Sequence, residues 1–219
     1  MGNLKNGRVF NKEIEFYRKD WHDYYPTIIR LVPPNSYVLD IGCGRGGLLK
    51  YLRDKLNCRV MGIDISDDAI RICKEKGIDA IRCDVEKDDI PGKYDVIILC
   101  AVLEHLIDPV SLLIKIRRNL REEGSVIIGV PNFSHLLARI QYLLGKNIQR
   151  YDDSPTSMRL GIQPPGHIRF FNKATLSYIL RKTGYEPIKW SYHSSNLMFY
   201  LYRINHSSQK DHSKLAMLD

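Results

Sequence analysis

The chain has 219 residues, 44% of them hydrophobic and 26% charged, which suits a soluble globular protein with one sizeable core. No apolar run is long enough to span a bilayer, and the first twenty residues lack the apolar segment of a secretory signal, so we expect a cytoplasmic protein. The net charge of +8 favours anionic partners, although a solvated basic surface explains it equally well. Because there is no dense basic run or aromatic RNA-binding motif, we do not expect nucleic acid as a partner.

Helical spacing of apolar residues in the first 34 positions predicts a helical cap. Ile14, Tyr17, Trp21 and Tyr24 recur at helical intervals, and Pro26 suits the first turn of a second short helix. The cysteines are odd in number and show neither C-x-x-C nor Cys/His ligand spacing. We therefore expect buried, reduced thiols and no zinc site.

From residue 35 onward, strands and helices alternate along the chain. The predicted strands lie at 37–42, 59–65, 78–84, 94–100 and 125–131, and the predicted helices at 46–56, 67–77 and 110–124. These strands are nearly continuous apolar runs, which indicates burial on both faces. The pattern predicts a doubly wound α/β domain over 35–204, with a parallel sheet between two helical layers.

Residues 132–166 interrupt this alternation as an insertion. The stretch 135–145 predicts an amphipathic helix, and 147–166 is a polar loop long enough to suggest a functional role. The alternation then resumes with a helix over 173–184, which Asn172 caps, and two strands at 186–193 and 196–204. Because only a short connection joins these two strands, we expect them to pair antiparallel at the sheet edge, followed by a frayed tail over 205–219.

The glycine turn after the first strand matches two different nucleotide-binding patterns. Gly42, Gly44 and Gly47 give G-x-G-x-x-G, typical of NAD sites, whereas Asp40 with Gly42, Gly44 and Gly46 gives D-x-G-x-G-x-G, typical of S-adenosylmethionine sites. A carboxylate at Asp40 would repel a pyrophosphate. It suits a cationic amino group or the backbone amides of the turn, and this favours S-adenosylmethionine.

Carboxylates also end the next two strands. Asp64 lies twenty positions after Gly44, where it can accept hydrogen bonds from both ribose hydroxyls of either cofactor. Asp84 can accept from the exocyclic amine of adenine while the Val85 amide donates to the ring. NAD sites do not need a residue in that role, so Asp84 favours S-adenosylmethionine as well.

Five linked segments carry a family resemblance over roughly residues 20–190. They are VLDIGCGRGG, GIDIS, RCDVE, YDVIILCAVLEHLIDP and GHIRFFN. In this order they resemble class I S-adenosylmethionine-dependent methyltransferases, in particular the MetW-like, type 11/23 branch, which VPNFSHLLARIQYLLG also resembles. The resemblance implies a Rossmann-like seven-stranded sheet with an antiparallel last strand, and S-adenosylhomocysteine as the product. The cofactor contacts we expect are Asp40, Gly42, Cys43, Gly44, Gly46, Asp64, Ile65, Asp84, Val85 and Ala101.

The acceptor side of the site offers two candidate catalytic residues. His105 follows the fourth strand and His167 follows the insertion, and either could act as general base for a hydroxyl acceptor. The candidate substrate contacts are Tyr17, Trp21, Glu104 and Arg169. Glu104 and His105 resemble part of an E-x-x-E-H cluster that can bind a divalent metal in ubiquinone-pathway O-methyltransferases. Since Ala101 stands at its first acidic position, we expect no metal.

Three functions therefore follow from the sequence. The first is a methyltransferase acting on a small-molecule hydroxyl, on a sugar, a lipid-linked compound or another metabolite. The second is a non-catalytic, MetW-like partner of a homoserine acyltransferase in methionine biosynthesis. An NAD-dependent oxidoreductase is the third, and it leaves Asp40 and Asp84 unexplained. The oligomeric state stays open.

Overall fold

A computed structural model describes residues 20, 22–132, 139–140, 143–145, 167–192 and 197–204. Most of the predicted N-terminal helix (residues 12–19 and 21), most of the insertion and the tail over 205–219 lie outside these residues. The boundaries of the cap and of the insertion therefore stay predictions.

The described chain alternates strands and helices as the apolar pattern predicts. The helices are α1 (Tyr25–Ile29), α2 (Gly47–Leu56), α3 (Asp67–Glu75), α4 (Pro109–Ile116) and α5 (Lys173–Lys182). The strands are β1 (Tyr37–Ile41), β2 (Arg59–Asp64), β3 (Ala80–Arg82), β4 (Tyr94–Cys100), β5 (Leu120–Pro131), β6 (Tyr185–Tyr192) and β7 (Leu197–Ile204). None of the helices in the described residues is both long and apolar enough to cross a membrane.

The seven strands form one sheet in the order β3-β2-β1-β4-β5-β7-β6. Strand β7 is antiparallel to both of its neighbours, β5 and β6, and the other described pairs are parallel. The predicted seven-stranded sheet with a reversed last strand is thus confirmed. The direction of winding changes between β1 and β4, so the carboxyl ends of these strands open a crevice at that point.

Apolar residues on alternate positions of the strands cover both faces of the sheet. Along β1, Leu39 and Ile41 belong to one buried cluster and Val38 to the other. On β4, Ile97 and Leu99 pack on the first side. Burial on both faces explains why these strands read as continuous apolar runs.

Side-chain hydrogen bonds cap the N-termini of three helices, among them the predicted cap at Asn172. Ser66 accepts a hydrogen bond from the Ala69 amide, and Asp108 accepts from the Val110 and Ser111 amides. Asn172 forms a reciprocal capping box with Thr175. These caps satisfy amides that the first helical turn leaves unpaired and so start α3, α4 and α5 at the sheet edge.

The predicted helix over 110–124 is wrong in its second half. Helix α4 ends at Ile116, a single 3-10 turn covers Arg117–Asn119, and β5 begins at Leu120. The cause is tertiary, because the buried Asn119 amide donates to the carbonyls of Ile90 and Gly92 and holds the chain in the turn. Strand β3 is also shorter than predicted, at three residues.

All five cysteines are free thiols, as expected. Four are buried and Cys100 is half-buried. The thiols of Cys43 and Cys73 both lie near the Gly44 carbonyl oxygen, at 3.7 and 3.3 Å. They pack the glycine turn against α3.

Substitution of Gly47 tests how the N-terminal segment packs on the glycine turn. A Cβ at Gly47 would lie 2.1 Å from the backbone oxygen of Asp20, so Gly47→Ala should lower the free energy of unfolding by about 1–3 kcal/mol. Urea denaturation followed by circular dichroism measures this. The exposed Lys74→Ala in α3 is the control and should stay within about 0.5 kcal/mol of the wild type. An unchanged Gly47→Ala protein would contradict this packing.

Candidate functional site

A cavity of about 380 Å³ opens at the carboxyl ends of β1 to β4. This is the crevice that the strand order predicts for a ligand. Its wall combines residues from the turns that follow all four strands, namely Ile41, Gly42, Ile63, Asp64, Ile65, Cys83, Asp84, Val85, Glu86, Ala101, Val102, His105 and Leu106. Six of the ten expected cofactor contacts and one of the two candidate catalytic histidines therefore share one wall.

The glycine turn after β1 has a backbone that other residues adopt only with strain. Gly42 and Gly44 have φ angles of +73° and +51°. A Cβ at Gly42 would lie 2.7 Å from a side-chain methyl of Val102, whereas a Cβ at Gly44 would meet nothing within 4 Å. The turn thus leaves open space beside Gly44 in which a ligand can approach the backbone.

Asp64 links this turn to the end of β2. Its Oδ2 accepts a hydrogen bond from the Gly44 amide at 2.9 Å, and its Oδ1 accepts from the Ser66 amide at 2.9 Å. The turn's amide is therefore held by Asp64, and not by Asp40. A carboxylate has about four lone-pair positions, so both oxygens can still accept hydrogen bonds from a ligand.

Asp40 lies behind the cavity wall rather than on it. Asp40 is only 5% exposed and lies near the end of β1. Burial raises the pKa of Asp40 to about 8, and the neighbouring Cys73 and Asp64 add to the increase. Cys43, Gly44 and Gly46 are likewise absent from the wall, and Gly46 is the N-cap residue of α2.

Asp84 and Val85, which follow β3, line the same cavity. Asp84 accepts a hydrogen bond from the Glu86 amide at 3.1 Å and pairs with the Lys87 ammonium at 2.7 Å. The hydrogen bond from Lys87 lowers the pKa of Asp84, so this carboxylate is ionised. Lys115 donates to the Val85 carbonyl at 3.0 Å and fixes the turn.

The chain leaves β4 through a strained residue. Ala101 has a φ of +56°, and its amide donates to the Gly129 carbonyl at 2.9 Å. A left-handed conformation at alanine costs of the order of 1–2 kcal/mol, which the surrounding contacts must offset. It directs the chain into the 3-10 turn Leu103–His105, which brings His105 to the cavity wall.

Glu104, His105 and His167 form one cluster at the edge of the cavity. The Glu104 side chain is fully buried, and neither of its carboxylate oxygens has a hydrogen-bond partner. His167 Nε2 lies 3.9 Å from Glu104 Oε1, and the rings of His105 and His167 have centroids 4.9 Å apart. Burial raises the pKa of Glu104 to about 7, while burial and then the nearby His105 lower the pKa of His167.

Backbone hydrogen bonds hold the segment after the insertion against this cluster. The amides of Ile168 and Arg169 both donate to the Glu104 carbonyl, at 2.8 and 3.1 Å. The Arg169 guanidinium donates to the carbonyls of Leu106 and Ile107. Arg169 therefore fixes this loop, and its contact with an anionic substrate stays a prediction. Arg169 also lines a second, apolar cavity of about 300 Å³ beside the first.

Several wall residues escaped the sequence analysis. Glu86, Val102 and Leu106 line the cavity and lie within two of the five quoted segments, but the sequence analysis gave them no role. Tyr24 is close to Cys100 at the end of β4, and burial raises the pKa of the Tyr24 hydroxyl. The helical spacing of aromatic residues in the cap was the only signal for Tyr24. Tyr17 and Trp21, the contacts we expected from the same segment, lie outside the described residues.

The raised pKa of Asp40 predicts a pH-dependent stability in the absence of ligand. Because the folded protein keeps a proton on Asp40 that the unfolded chain releases above pH about 4, this residue lowers the free energy of unfolding as pH rises towards 8. We therefore expect the free energy of unfolding of Asp40→Asn, relative to that of the wild type, to be higher at pH 8 than at pH 5. The increase should be at least about 1.4 kcal/mol, the equivalent of one pKa unit. Urea denaturation at both pH values measures the difference. A constant difference would show that Asp40 is ionised throughout.

Comparison with known proteins identifies the family. A model of the methyltransferase domain matches residues 14–189. The chain is 30% identical to a ubiquinone biosynthesis O-methyltransferase of Methylococcus capsulatus over 169 residues, which is 71% of this chain and 69% of that protein. It is 31% identical over 128 residues to the bifunctional methionine biosynthesis protein MetXA/MetW of Rhodopirellula baltica, which is 53% of this chain but only 20% of that protein.

Solved structures show the same fold. Magnesium protoporphyrin IX methyltransferase from Synechocystis, solved with bound S-adenosylhomocysteine, superposes on this chain with a TM-score of 0.63 at 17% sequence identity. The superposition covers 92% of this chain and 89% of the Synechocystis chain. These findings decide against the NAD-dependent oxidoreductase, whereas the MetW-like branch stays a prediction. The chain belongs to the methyltransferase domain family, that is, to the class I S-adenosylmethionine-dependent methyltransferases.

Proposed function

We propose that this chain transfers the methyl group of S-adenosylmethionine to an oxygen atom of a small-molecule acceptor. The observation that carries the proposal is the shared wall on which Asp64, Asp84 and His105 face one cavity. The two carboxylates suit the hydroxyls and the amine of an adenosine, and the histidine lies where an acceptor can reach the cofactor. The similarity to an O-methyltransferase over two thirds of each chain supports oxygen as the acceptor atom.

In this proposal, different residues of the chain bind the ribose, the adenine and the amino-acid part of the cofactor. Asp64 accepts hydrogen bonds from the ribose hydroxyls, and Asp84 and the Val85 amide hold the adenine. Ile65, which is 59% exposed at the cavity rim, covers one face of the base. The open backbone beside Gly44 would receive the amino-acid part of the cofactor, whose ammonium group would favour the ionised form of the buried Asp40.

The chemistry that remains for the protein is mainly alignment. S-adenosylmethionine supplies an activated methyl group on a sulfonium. The protein has to place the acceptor oxygen in line with that methyl and to exclude water. We assign the placement of the acceptor to His105 on the cavity wall and to His167 beside it. Glu104 does not contact the acceptor in this proposal, because its side chain is fully buried.

Calorimetric titration with S-adenosylmethionine, S-adenosylhomocysteine and NAD tests the cofactor. We expect the two adenosyl ligands to bind and NAD to give no response. Asp64→Ala and Asp84→Ala should each weaken binding of S-adenosylhomocysteine by about 10- to 100-fold, as the loss of hydrogen bonds to a carboxylate predicts.

Matched aspartates in the same turns provide the controls. Asp67→Ala and Asp89→Ala remove exposed carboxylates that do not line the cavity, and they should bind S-adenosylhomocysteine like the wild type. Because Asp64 also holds the Gly44 amide, Asp64→Asn is measured in parallel, and its thermal unfolding shows whether the turn is intact. Full affinity in both alanine variants would contradict our placement of the adenosine.

A non-catalytic role as partner of a homoserine acyltransferase is the second candidate. The observation in its favour is the exposure of apolar residues in the insertion, where Ile140, Leu143 and Leu144 are 43%, 86% and 65% exposed. Exposed apolar groups of this kind are typical of surfaces that contact another protein. The similarity to the methionine biosynthesis protein MetXA/MetW points to the same kind of partner.

The double variant Leu143→Glu/Leu144→Glu separates this role from catalysis. If the insertion contacts an acyltransferase, the variant should elute separately from that enzyme in size-exclusion chromatography, whereas the wild type co-elutes. Both proteins should keep the same affinity for S-adenosylhomocysteine, since these residues do not line the cavity. Separate elution of the wild type would count against the partner role.

A further inference from the structure

The Glu104 carboxylate has no counter-charge or hydrogen-bond partner that accounts for its burial. Its side chain is 0% exposed, and both oxygens lack a hydrogen bond. An ionised carboxylate in such a place costs several kcal/mol unless a cation or a set of donors compensates it. Buried polar groups without partners are rare in folded proteins, so this one requires a specific explanation.

Two imidazoles lie beside the Glu104 carboxylate. One ligand atom each from Glu104, His105 and His167 lie within 4.8 Å of one another. The distance of 3.9 Å between Glu104 Oε1 and His167 Nε2 is too long for a hydrogen bond. Ligand atoms around a tetrahedral ion with bonds of about 2.1 Å are about 3.4 Å apart, so a small closing movement would let an ion bridge these two atoms.

We propose that Glu104, His105 and His167 bind a divalent transition-metal ion at the acceptor end of the cavity. Two imidazole nitrogens and one carboxylate oxygen suit Zn²⁺, Co²⁺, Fe²⁺ or Mn²⁺ better than Mg²⁺, which prefers oxygen ligands throughout. This proposal departs from our expectation of no metal. That expectation rested on Ala101, and it did not consider a ligand from a distant part of the chain.

The third ligand is held in place by the backbone. The Ile168 and Arg169 amides donate to the carbonyl of Glu104 itself, so His167 is fixed directly beside the carboxylate. The Arg169 guanidinium strengthens the attachment through the carbonyls of Leu106 and Ile107. A site whose ligands are positioned before the metal arrives loses less conformational freedom on binding.

The position of the site deepens the proposed function, on which this part of the inference rests. His105 is exposed and lines the cofactor cavity, whereas Glu104 lies beneath it. The free coordination positions of the ion would therefore face the cavity. There they can bind a hydroxyl oxygen of the acceptor and hold it beside the methyl group.

Metal titration of the whole chain tests the inference. The protein is prepared without a histidine tag, freed of metal with a chelator and titrated with Co²⁺, Zn²⁺ and Mg²⁺ by calorimetry and by visible absorption for Co²⁺. We expect one Co²⁺ or Zn²⁺ per chain, d–d bands typical of nitrogen and oxygen ligands, and at least tenfold weaker binding of Mg²⁺. Glu104→Gln and His167→Ala should each weaken Co²⁺ binding by at least a hundredfold.

Two controls keep the result specific. His22→Ala and Glu123→Gln remove another exposed histidine and another exposed carboxylate, and they should bind Co²⁺ like the wild type. Circular dichroism shows that each variant is folded. Absent binding, binding unchanged in Glu104→Gln and His167→Ala, equal loss in the controls, or Mg²⁺ as the preferred ion would each overturn the inference.

Titration with S-adenosylhomocysteine distinguishes this inference from the proposed function. If the wild type binds S-adenosylhomocysteine but no metal, only the metal site is wrong. If it binds Co²⁺ through Glu104 and His167 but no adenosyl ligand, the metal site stands and the proposed cofactor does not.

Discussion

Parallel pairing of β1 with both β2 and β4 is the constraint on which the rest of this structure depends. The register aligns Ile41 with Ile63 on one side and with Leu99 on the other, so the three strands end at the same edge. The turns that follow β1, β2 and β4 therefore all lie at one crevice, although their residues come from distant parts of the chain. The apolar clusters on both faces hold the strands in this arrangement, and the turns are free to carry polar groups.

Two buried carboxylates in this crevice lower the stability of the protein without ligand. Asp40 and Glu104 both have raised pKa values because burial disfavours their ionised forms. Neither would persist in a fold optimised for stability alone, since apolar residues of similar volume would pack in their place without this cost. Both are explained if a positive group arrives with the ligands, an ammonium near Asp40 and a metal ion near Glu104. Under both proposals, the protein gives up stability for electrostatic complementarity to what it binds.

Some of the site could be predicted because its signals are local. The glycine turn, Asp64 and Asp84 each follow a buried strand at a fixed spacing, and strand ends of a parallel sheet meet by geometry. The caps at Ser66, Asp108 and Asn172 are equally local, since each side chain bonds to an amide two or three residues further along the chain. The helix over 110–124 failed for the opposite reason. Its end is set by hydrogen bonds from Asn119 to Ile90 and Gly92, about 30 residues away, which no periodicity reveals.

The sequence by itself determined the fold class, the family and two of the carboxylates that line the cavity, Asp64 and Asp84, because hydrophobic periodicity and strand-end motifs encode these within short windows. Only the tertiary structure decided what each polar group meets. In the tertiary structure the Gly44 amide donates to Asp64 rather than to Asp40, and the Arg169 guanidinium donates to loop carbonyls. The same packing places His167 beside Glu104. Such pairings join residues up to 63 positions apart, and their energies depend on distance and burial, which the order of residues does not contain.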